Sequence, residues 1–415
     1  MGFPDQPHRC NHMAHVLMIA YTTYVHDGRV KRQAQALAER GDHVDLLCLE
    51  NPHEGLHCGV NVIGLKVRRY RGNSKTGYFR TYLGFFVAAG ARALKLALRK
   101  RYDVVIVCTM PDAAVLCALP LKLLGSKVVL DMHDTMPELY REKFGGRRGT
   151  IGARLLGFEE LASTWFANRV LAVHDLHKAR LEEAGVRHDK IAVVLNSPDP
   201  RIFAGTSNHD VRQEDFTVLC HGTIAERLGL DVAIQAIACL RDRAPNIRLL
   251  IVGAGDYLTE CRSLVTQLDL DDRVRFEPAR PLEQLPQLLS HAAIGLVPNR
   301  ASSATHLMLP VKLLEYAKLG IPVVAARLRT IEHYFDESAV RYFEPGDSSA
   351  LAAALEELYR SPASREALAR NARALMVGLD WAHQREQYFD AIDSLLRSER
   401  GGTHLNGTAK SQFEL

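Results

Sequence analysis

The chain has 415 residues, enough for two domains of ordinary size, each with its own core. Its 47% hydrophobic and 24% charged residues are the composition of a soluble globular protein, and no uncharged apolar run reaches the roughly 18 residues that a spanning helix needs. The net charge of +4 is modest, and no nucleic-acid-binding motif accompanies it, so the expected partners do not include nucleic acid.

Residues 1–13 carry no apolar h-region and read as a disordered lead rather than a secretory signal, which points to a cytoplasmic protein. The run HVLMIAY from His15 then has the pattern of a buried parallel strand, and Asp27-Gly28-Arg29 opens a helix that Gly41 closes. Val44 to Leu49 starts the next strand. From Lys66 to Arg101 there are eleven Lys or Arg and no acidic residue, a local positive field that the net charge conceals. Within it, Tyr82 to Leu98 is helix-like: Leu83, Phe86, Val87 and Leu94 form an apolar stripe flanked by Arg92, Lys95 and Arg99. Two readings fit that stretch, an anionic membrane surface or a core helix with a basic solvated face.

The strand–helix beat continues through Val104–Cys108, Ala113–Leu124, Val128–Asp131, Ala153–Ala167, Val170–Val173, Leu176–Ala184 and Ile191–Leu195, closing a first domain at 14–195. The polar, Pro-rich stretch 196–215 is expected to be a linker. A second alternating series fills 216–380, so the fold class is α/β, with two Rossmann-like, doubly wound parallel sheets. Ligands of such sheets lie outside the carboxyl ends of the strands, which puts the expected site in a cleft between the domains. A helix over 381–398 follows, and 399–415 has too little apolar content to pack, reading as a disordered tail. The eight cysteines are scattered and lack a CxxC pair, which predicts buried, reduced thiols and no metal.

Chemistry concentrates at Ser303–Ala326, SATHLMLPVKLLEYAKLGIPVVAA. Pro310 presets the first turn of a helix whose free N–H groups, around Leu309, Pro310 and Val311, can receive an anion, and Lys312 adds charge beside them. Glu315, one turn on from Val311, is placed to accept hydrogen bonds from vicinal hydroxyls. An ordinary helix-to-strand unit with Glu315 on a solvated face is the competing reading. Three other loops carry candidates. His221-Gly222-Thr223 leads to Arg227, whose planar fork suits phosphate oxygens, with Gly222 allowing close backbone approach. Gly253 and Gly255 form a GxG after an apolar strand, but Leu258 stands where a dinucleotide fingerprint needs glycine, against a nicotinamide dehydrogenase. His133, Asp134 and Glu138 crowd the end of a buried strand, where they either serve a site or cap the next helix.

The segment resembles the PxKxxEYxxxGxPVVA signature of family 4 glycosyltransferases, retaining enzymes of the GT-B fold, and the resemblance covers roughly Val16 to Leu396. It implies that Glu315 binds the donor ribose and that Arg227 and Lys312 stabilise the departing diphosphate. It also places Gly253 and Gly255 near the nucleotide, sets Arg280 against the base and puts His133 by the transferred sugar. Asp134 or Glu138 then orients His133 or binds acceptor. The loop of Tyr24, Asp27, Gly28 and Arg29 corresponds to one that contacts acceptor and diphosphate, although Arg29 also suits a solvated helix face. The 381–398 helix is the one that crosses back to the first domain in this fold. No bound metal or cofactor is implied; a UDP- or GDP-sugar is the substrate.

Three positions depart from the family pattern. Leu307 replaces the first carboxylate of Glu-x7-Glu, Thr223 stands where a basic residue is common, and Leu228 stands where a lysine is usual. Ser302, Ser303, Thr305 and His306 are the neighbouring candidates for sugar contacts. The expected function is transfer of a sugar from a nucleotide donor to a lipid-linked or polysaccharide intermediate at the inner membrane face. A nucleotide-sugar epimerase of the same fold and a catalytically silent binding subunit remain the alternatives.

Overall fold

The computed structural model describes residues 13–50, 54–68, 70, 75–109, 111–204 and 216–397. All of the expected lead but Met13, the tail and most of the linker lie outside these residues. The chain divides into two compact units, one of Met1–Met136, Ala153–Val194 and Arg385–Leu415, the other of Pro137–Gly152 and Leu195–Gln384. These units depart from the expected boundaries in two places. Pro137–Gly152 groups with the second unit, and the change of unit near the C-terminus falls inside the helix Trp381–Arg397.

In the first unit the strands are β1 (His15–Ala20), β2 (His43–Cys48), β3 (Gly55–His57), β4 (Val60–Gly64), β5 (Val104–Cys108), β6 (Lys127–Asp131), β7 (Arg169–Ala172) and β8 (Ile191–Val193). They form an eight-stranded sheet in the order β3-β4-β2-β1-β5-β6-β7-β8. All neighbours are parallel except the β3–β4 hairpin at the edge. That hairpin escaped the sequence reading, because its two-residue turn, Cys58-Gly59, takes positive φ at both positions without the usual Asn-Gly signature. Central strands such as β5 (VVIVC) are buried throughout, which is why continuous apolar runs rather than alternation marked them.

The second unit has β9 (Thr217–Thr223), β10 (Arg248–Ala254), β11 (Val274–Glu277), β12 (Ile294–Val297), β13 (Val323–Ala326) and β14 (Val340–Phe343). Its order is β11-β10-β9-β12-β13-β14, all parallel. The helices Arg329–Tyr334 and Pro362–Leu379 and strand β14 were not anticipated. In both sheets the order reverses beside the first strand of the unit, between β1 and β5 and between β9 and β12. At such a switch point the loops leaving the carboxyl ends diverge and open a crevice.

Helix Lys75–Ala97 buries Phe85, Ala89 and Ala93, one face at four-residue spacing, and packs on the segment Asp112–Ala118. Of the two readings of the stripe, the core-facing one fails. Leu83, Val87 and Leu94 are exposed, Phe86 is half-buried, and Lys95 and Arg99 are exposed. Small alanines let this helix approach its neighbour closely, so the larger aliphatic residues are left outside.

In the C-terminal helix, Tyr388, Phe389 and Ile392 are buried; the Arg40 guanidinium lies 4.5 Å over the Phe389 ring and pairs with Asp393 at 2.9 Å. Among the described cysteines, all free, Cys48, Cys108, Cys117, Cys220 and Cys261 are buried as expected, while Cys58 and Cys239 are exposed and Cys10 lies outside the described residues. Among the described residues no helix is long and apolar enough to cross a membrane.

Candidate active site

In the first unit, the loops after β1 and β6 leave the carboxyl edge at its switch point. Asp131, the last residue of β6, is fully buried and holds two groups at once. The Arg29 guanidinium donates to Asp131 Oδ1 at 2.5 Å and Oδ2 at 3.3 Å, and His133 Nε2 lies 3.1 Å from Oδ2. Burial pushes the Asp131 carboxyl up, but the charges of Arg29 and His133 outweigh it and hold the group well below the usual carboxylate range. The His133 ring is 18% exposed, so one nitrogen is fixed by Asp131 while an edge of the ring reaches solvent. The His133 amide donates to Thr109 Oγ1 at 3.3 Å.

The remaining first-loop candidates have other tasks. Arg29 is neither on a solvated face nor open to a ligand; it is buried, and its Nη1 also donates to Val194 O at 3.3 Å. Asp27 caps the helix, its carboxylate accepting from the Val30 amide at 3.1 Å, because a helix start needs an acceptor for its free N–H groups. Gly28 is the first residue of that helix. Tyr24 is buried, its hydroxyl accepting from Gln35 Nε2 at 3.3 Å, so its side chain offers no surface to an acceptor. Asp134 is half-buried beside His133, whereas Glu138 belongs to the other unit.

Cys108, Asp131 and His133 bring donor atoms within 4.8 Å of one another. This set does not suit a cation. Burial pushes the Cys108 thiol well up, so the sulfur keeps its proton, and Arg29 already neutralises the carboxylate. Asp131 was not singled out from the sequence; a carboxylate closing an otherwise apolar strand, two residues before a histidine, was the available signal.

In the second unit the candidate residues lie mostly in the loops after β9, β10 and β12. Gly222 has φ of +112° and open space where a Cβ would sit, leaving the backbone exposed at the strand end. At Gly253 a Cβ would lie 1.9 Å from Gly222 O, and at Gly255 1.9 Å from Ile224 O. Both glycines are therefore required by the close approach of the β9 and β10 loops, whatever they do for a ligand.

Arg227 follows in the same loop. Its backbone oxygen accepts from the Arg300 amide at 2.9 Å, and its buried Nε has no partner. Lys312, in the first turn of helix Val311–Leu319, places Nζ 3.6 Å from Cys220 Sγ. Among the described residues neither cation pairs with a carboxylate. Pro310 is the N-cap, with no side chain closing the free amides, and Leu309 is half-buried just before it. Glu315, on that helix, is buried, with Oε2 3.1 Å from His221 Nε2 but without hydrogen-bond alignment. His221 was overlooked as a site residue; its ring also meets Tyr316 edge-on at 5.3 Å. Arg280 is paired with Glu277 at 3.0 Å.

Of the neighbours of Leu307, three are already engaged in hydrogen bonds, within their loop or to other segments. Ser302 Oγ donates to Glu142 Oε2 at 2.5 Å, Thr305 Oγ1 donates to Arg300 O at 2.6 Å, and His306 Nδ1 accepts from the Arg329 amide at 3.3 Å. Ser303 is exposed.

Residues 28–197 match the family model described as "Glycosyl transferase 4-like domain", and residues 206–375 match "Glycosyl transferases group 1". The amylovoran biosynthesis glycosyltransferase AmsK of Erwinia amylovora is 27% identical over 207 residues, 49% of this chain and 51% of the relative. A GDP-mannose-dependent alpha-(1-6)-phosphatidylinositol monomannoside mannosyltransferase of Mycolicibacterium smegmatis is 30% identical over 202 residues, 48% of this chain and 50% of that one. The chain thus spans about half the length of the curated relatives it matches. Sucrose-phosphate synthase from Thermosynechococcus elongatus has a similar fold, with a TM-score of 0.75 at 19% identity over 92% of this chain and 100% of that one. Anabaena HepE in complex with UDP and glucose gives 0.71 at 19% identity over the same shares. Two matched models spanning most of the chain, and solved structures of the same architecture, place the protein in the family 4-like glycosyltransferases of the GT-B fold.

Proposed function

We propose that this chain is a retaining glycosyltransferase that takes a sugar from a UDP- or GDP-sugar and passes it to a lipid-linked or polysaccharide intermediate. The observation that carries this reading is that the second unit holds two cations with no carboxylate partner among the described residues: Lys312, in the first turn of helix Val311–Leu319, whose N-terminus no side chain caps, and Arg227, in the loop after β9. An anion with several oxygens, such as a diphosphate, satisfies all three groups together. The relatives' names support both halves of the proposal, one a GDP-mannose-dependent mannosyltransferase, another a structural neighbour holding UDP and glucose.

In this reading Glu315 accepts hydrogen bonds from the donor ribose, Arg280 lies along the base, and Gly222, Gly253 and Gly255 bring backbone close to the nucleotide. Breaking the anomeric bond builds positive charge on the sugar and negative charge on the leaving diphosphate. Arg227, Lys312 and the helix amides stabilise the second charge, and because they are already in position they need no reorganisation as it develops. His133, held by Asp131, hydrogen-bonds a hydroxyl of the transferred sugar, with Asp134 and Glu138 on the acceptor side. The basic stretch 66–101, with exposed Leu83, Val87 and Leu94, brings the protein to the anionic inner membrane face where a lipid-linked acceptor resides.

A thermal-shift panel of UDP, GDP and their sugars tests this, because selective ligand binding raises the apparent stability by mass action. One nucleotide series is expected to stabilise the protein, and Arg227→Ala to abolish the shift. No shift with any nucleoside diphosphate, or an equal shift in Arg227→Ala, overturns the reading. Product analysis with and without acceptor then separates transfer from epimerisation.

A further inference from the structure

A cavity of about 750 Å³ opens in the first unit, beside the amino ends of β7 and β8. It therefore lies at the sheet edge opposite His133. Lys122, Arg187, Lys190 and Trp165 line it. Lys122 donates to Phe166 O, and Lys190 Nζ donates to Trp165 O at 3.0 Å, so each ammonium caps the end of helix Gly146–Phe166 with one of its three donors. Among the described residues, the one ion pair these cations make joins Arg187 to Asp189 at 3.0 Å, with both side chains exposed, where such a pair contributes little. Burial pushes the Lys190 ammonium down, and the charges of Lys122 and Arg187 push it further; burial does the same to Lys122. Three cations crowded at a partly dehydrated cavity leave a deficit of negative charge.

Trp165 brings an exposed ring to the cavity, and the helix that carries it exposes further apolar side chains. On helix Gly146–Phe166, Leu155, Phe158 and Trp165 stand 65%, 72% and 85% exposed, at spacings that put them along one stripe. Leu123, next to Lys122, is 79% exposed. A soluble anion has no use for such exposed apolar side chains, whereas a tryptophan beside lysines is the usual composition of a membrane–water interface.

The geometry points to a site for the phosphate of an anionic phospholipid headgroup, with Lys122, Lys190 and Arg187 on the phosphate and Trp165, Phe158, Leu155 and Leu123 entering the lipid interface. This site does not depend on the transferase reading, and it is separate from the stretch 66–101.

Flotation of the full chain with vesicles of phosphatidylcholine, alone or with a third phosphatidylglycerol, provides the test. Anionic vesicles are expected to bind at least tenfold better. Lys122→Gln with Lys190→Gln should weaken that binding about tenfold or more, and Trp165→Ser should weaken it at constant charge. Arg187→Gln, at an exposed position that caps nothing, should lose about fivefold and guards against a folding defect in the lysine pair. Wild-type recovery of all three variants on anionic vesicles overturns the proposal. So does stabilisation by inorganic phosphate or glycerol 3-phosphate, lost in the lysine pair, in a protein that ignores vesicles, since the site then belongs to a soluble phosphate. Thermal shifts with nucleoside diphosphates, unchanged in every variant, keep this result separate from the transferase question.

Discussion

The two switch points of this protein are built on the same sheet topology and handle charge in opposite ways. At the carboxyl edge of the first unit, Arg29, Asp131 and His133 satisfy one another inside the fold. At that of the second, Lys312 stands in the first turn of an uncapped helix and Arg227 in the loop after β9, and among the described residues neither meets a carboxylate. A closed network fixes the direction of one imidazole before any ligand arrives, whereas an open one stores unmet demand for an anion. The first arrangement therefore shows in stability, the second in binding.

The largest effect should come from breaking the closed network. Arg29→Met leaves a buried carboxylate uncompensated and should cost about 3–5 kcal/mol in urea unfolding, whereas pairing it with Asp131→Leu should recover much of that loss. A cost under about 1 kcal/mol for Arg29→Met would erase the contrast between the units. Next, Arg227→Ala should lose two charge-assisted contacts to a nucleoside diphosphate, about 1.5–3 kcal/mol or ten- to a hundredfold in calorimetric affinity, with the unfolding midpoint unchanged. A midpoint that falls as far as in Arg29→Met means Arg227 supports the fold instead. Glu315→Gln, which keeps the shape but drops the charge, should weaken nucleotide binding about tenfold while sparing a pyrophosphate lacking ribose.

A smaller effect tests the closed unit through pH. Burial, with the charges of His174, Arg180 and Arg29, pushes His177 down to about 3, and neither of its ring nitrogens has a hydrogen-bond partner. The unfolded chain takes up this proton near pH 6.5 and the folded protein does not, so the folded state loses stability as pH falls below that value. The slope contributed is at most about 1.4 kcal/mol per pH unit between pH 6 and 4, and His177→Leu should flatten it in a series of thermal melts. Asp131 acts lower on the scale. Its depressed carboxyl contributes stability above the unfolded value near 3.9 that disappears as pH drops further.

Much of the fold was legible because buried parallel strands are written as uninterrupted apolar runs, and β1 after its first residue, β5 and β13 each follow that rule. The motif SATHLMLPVKLLEYAKLGIPVVAA likewise announced its helix, from Pro310 at the cap to Gly320 in the left-handed conformation at the end. The short elements were harder. The β3–β4 hairpin lacked a recognisable turn, and β14 offers only four residues of pattern. For helix Lys75–Ala97 the sequence left open whether its leucine and valine stripe faces the core or a membrane surface; the fold buries Phe85, Ala89 and Ala93 instead, because close approach to a neighbouring segment selects the alanines.

The sequence by itself determined the α/β class, the two sheets, the family and the identity of the polar loops, because all of these follow from local pattern and from residue types at fixed spacing. Which charges meet was decided by tertiary structure alone. Arg29 and Asp131 lie 102 positions apart, and only the parallel pairing of β1 with β5 and of β5 with β6 sets them side by side and turns an expected ligand contact into a buried ion pair. The same holds for Arg227 and Lys312. Nothing along the chain reveals that neither meets a carboxylate among the described residues, since that is a property of the folded surroundings, not of the residues themselves.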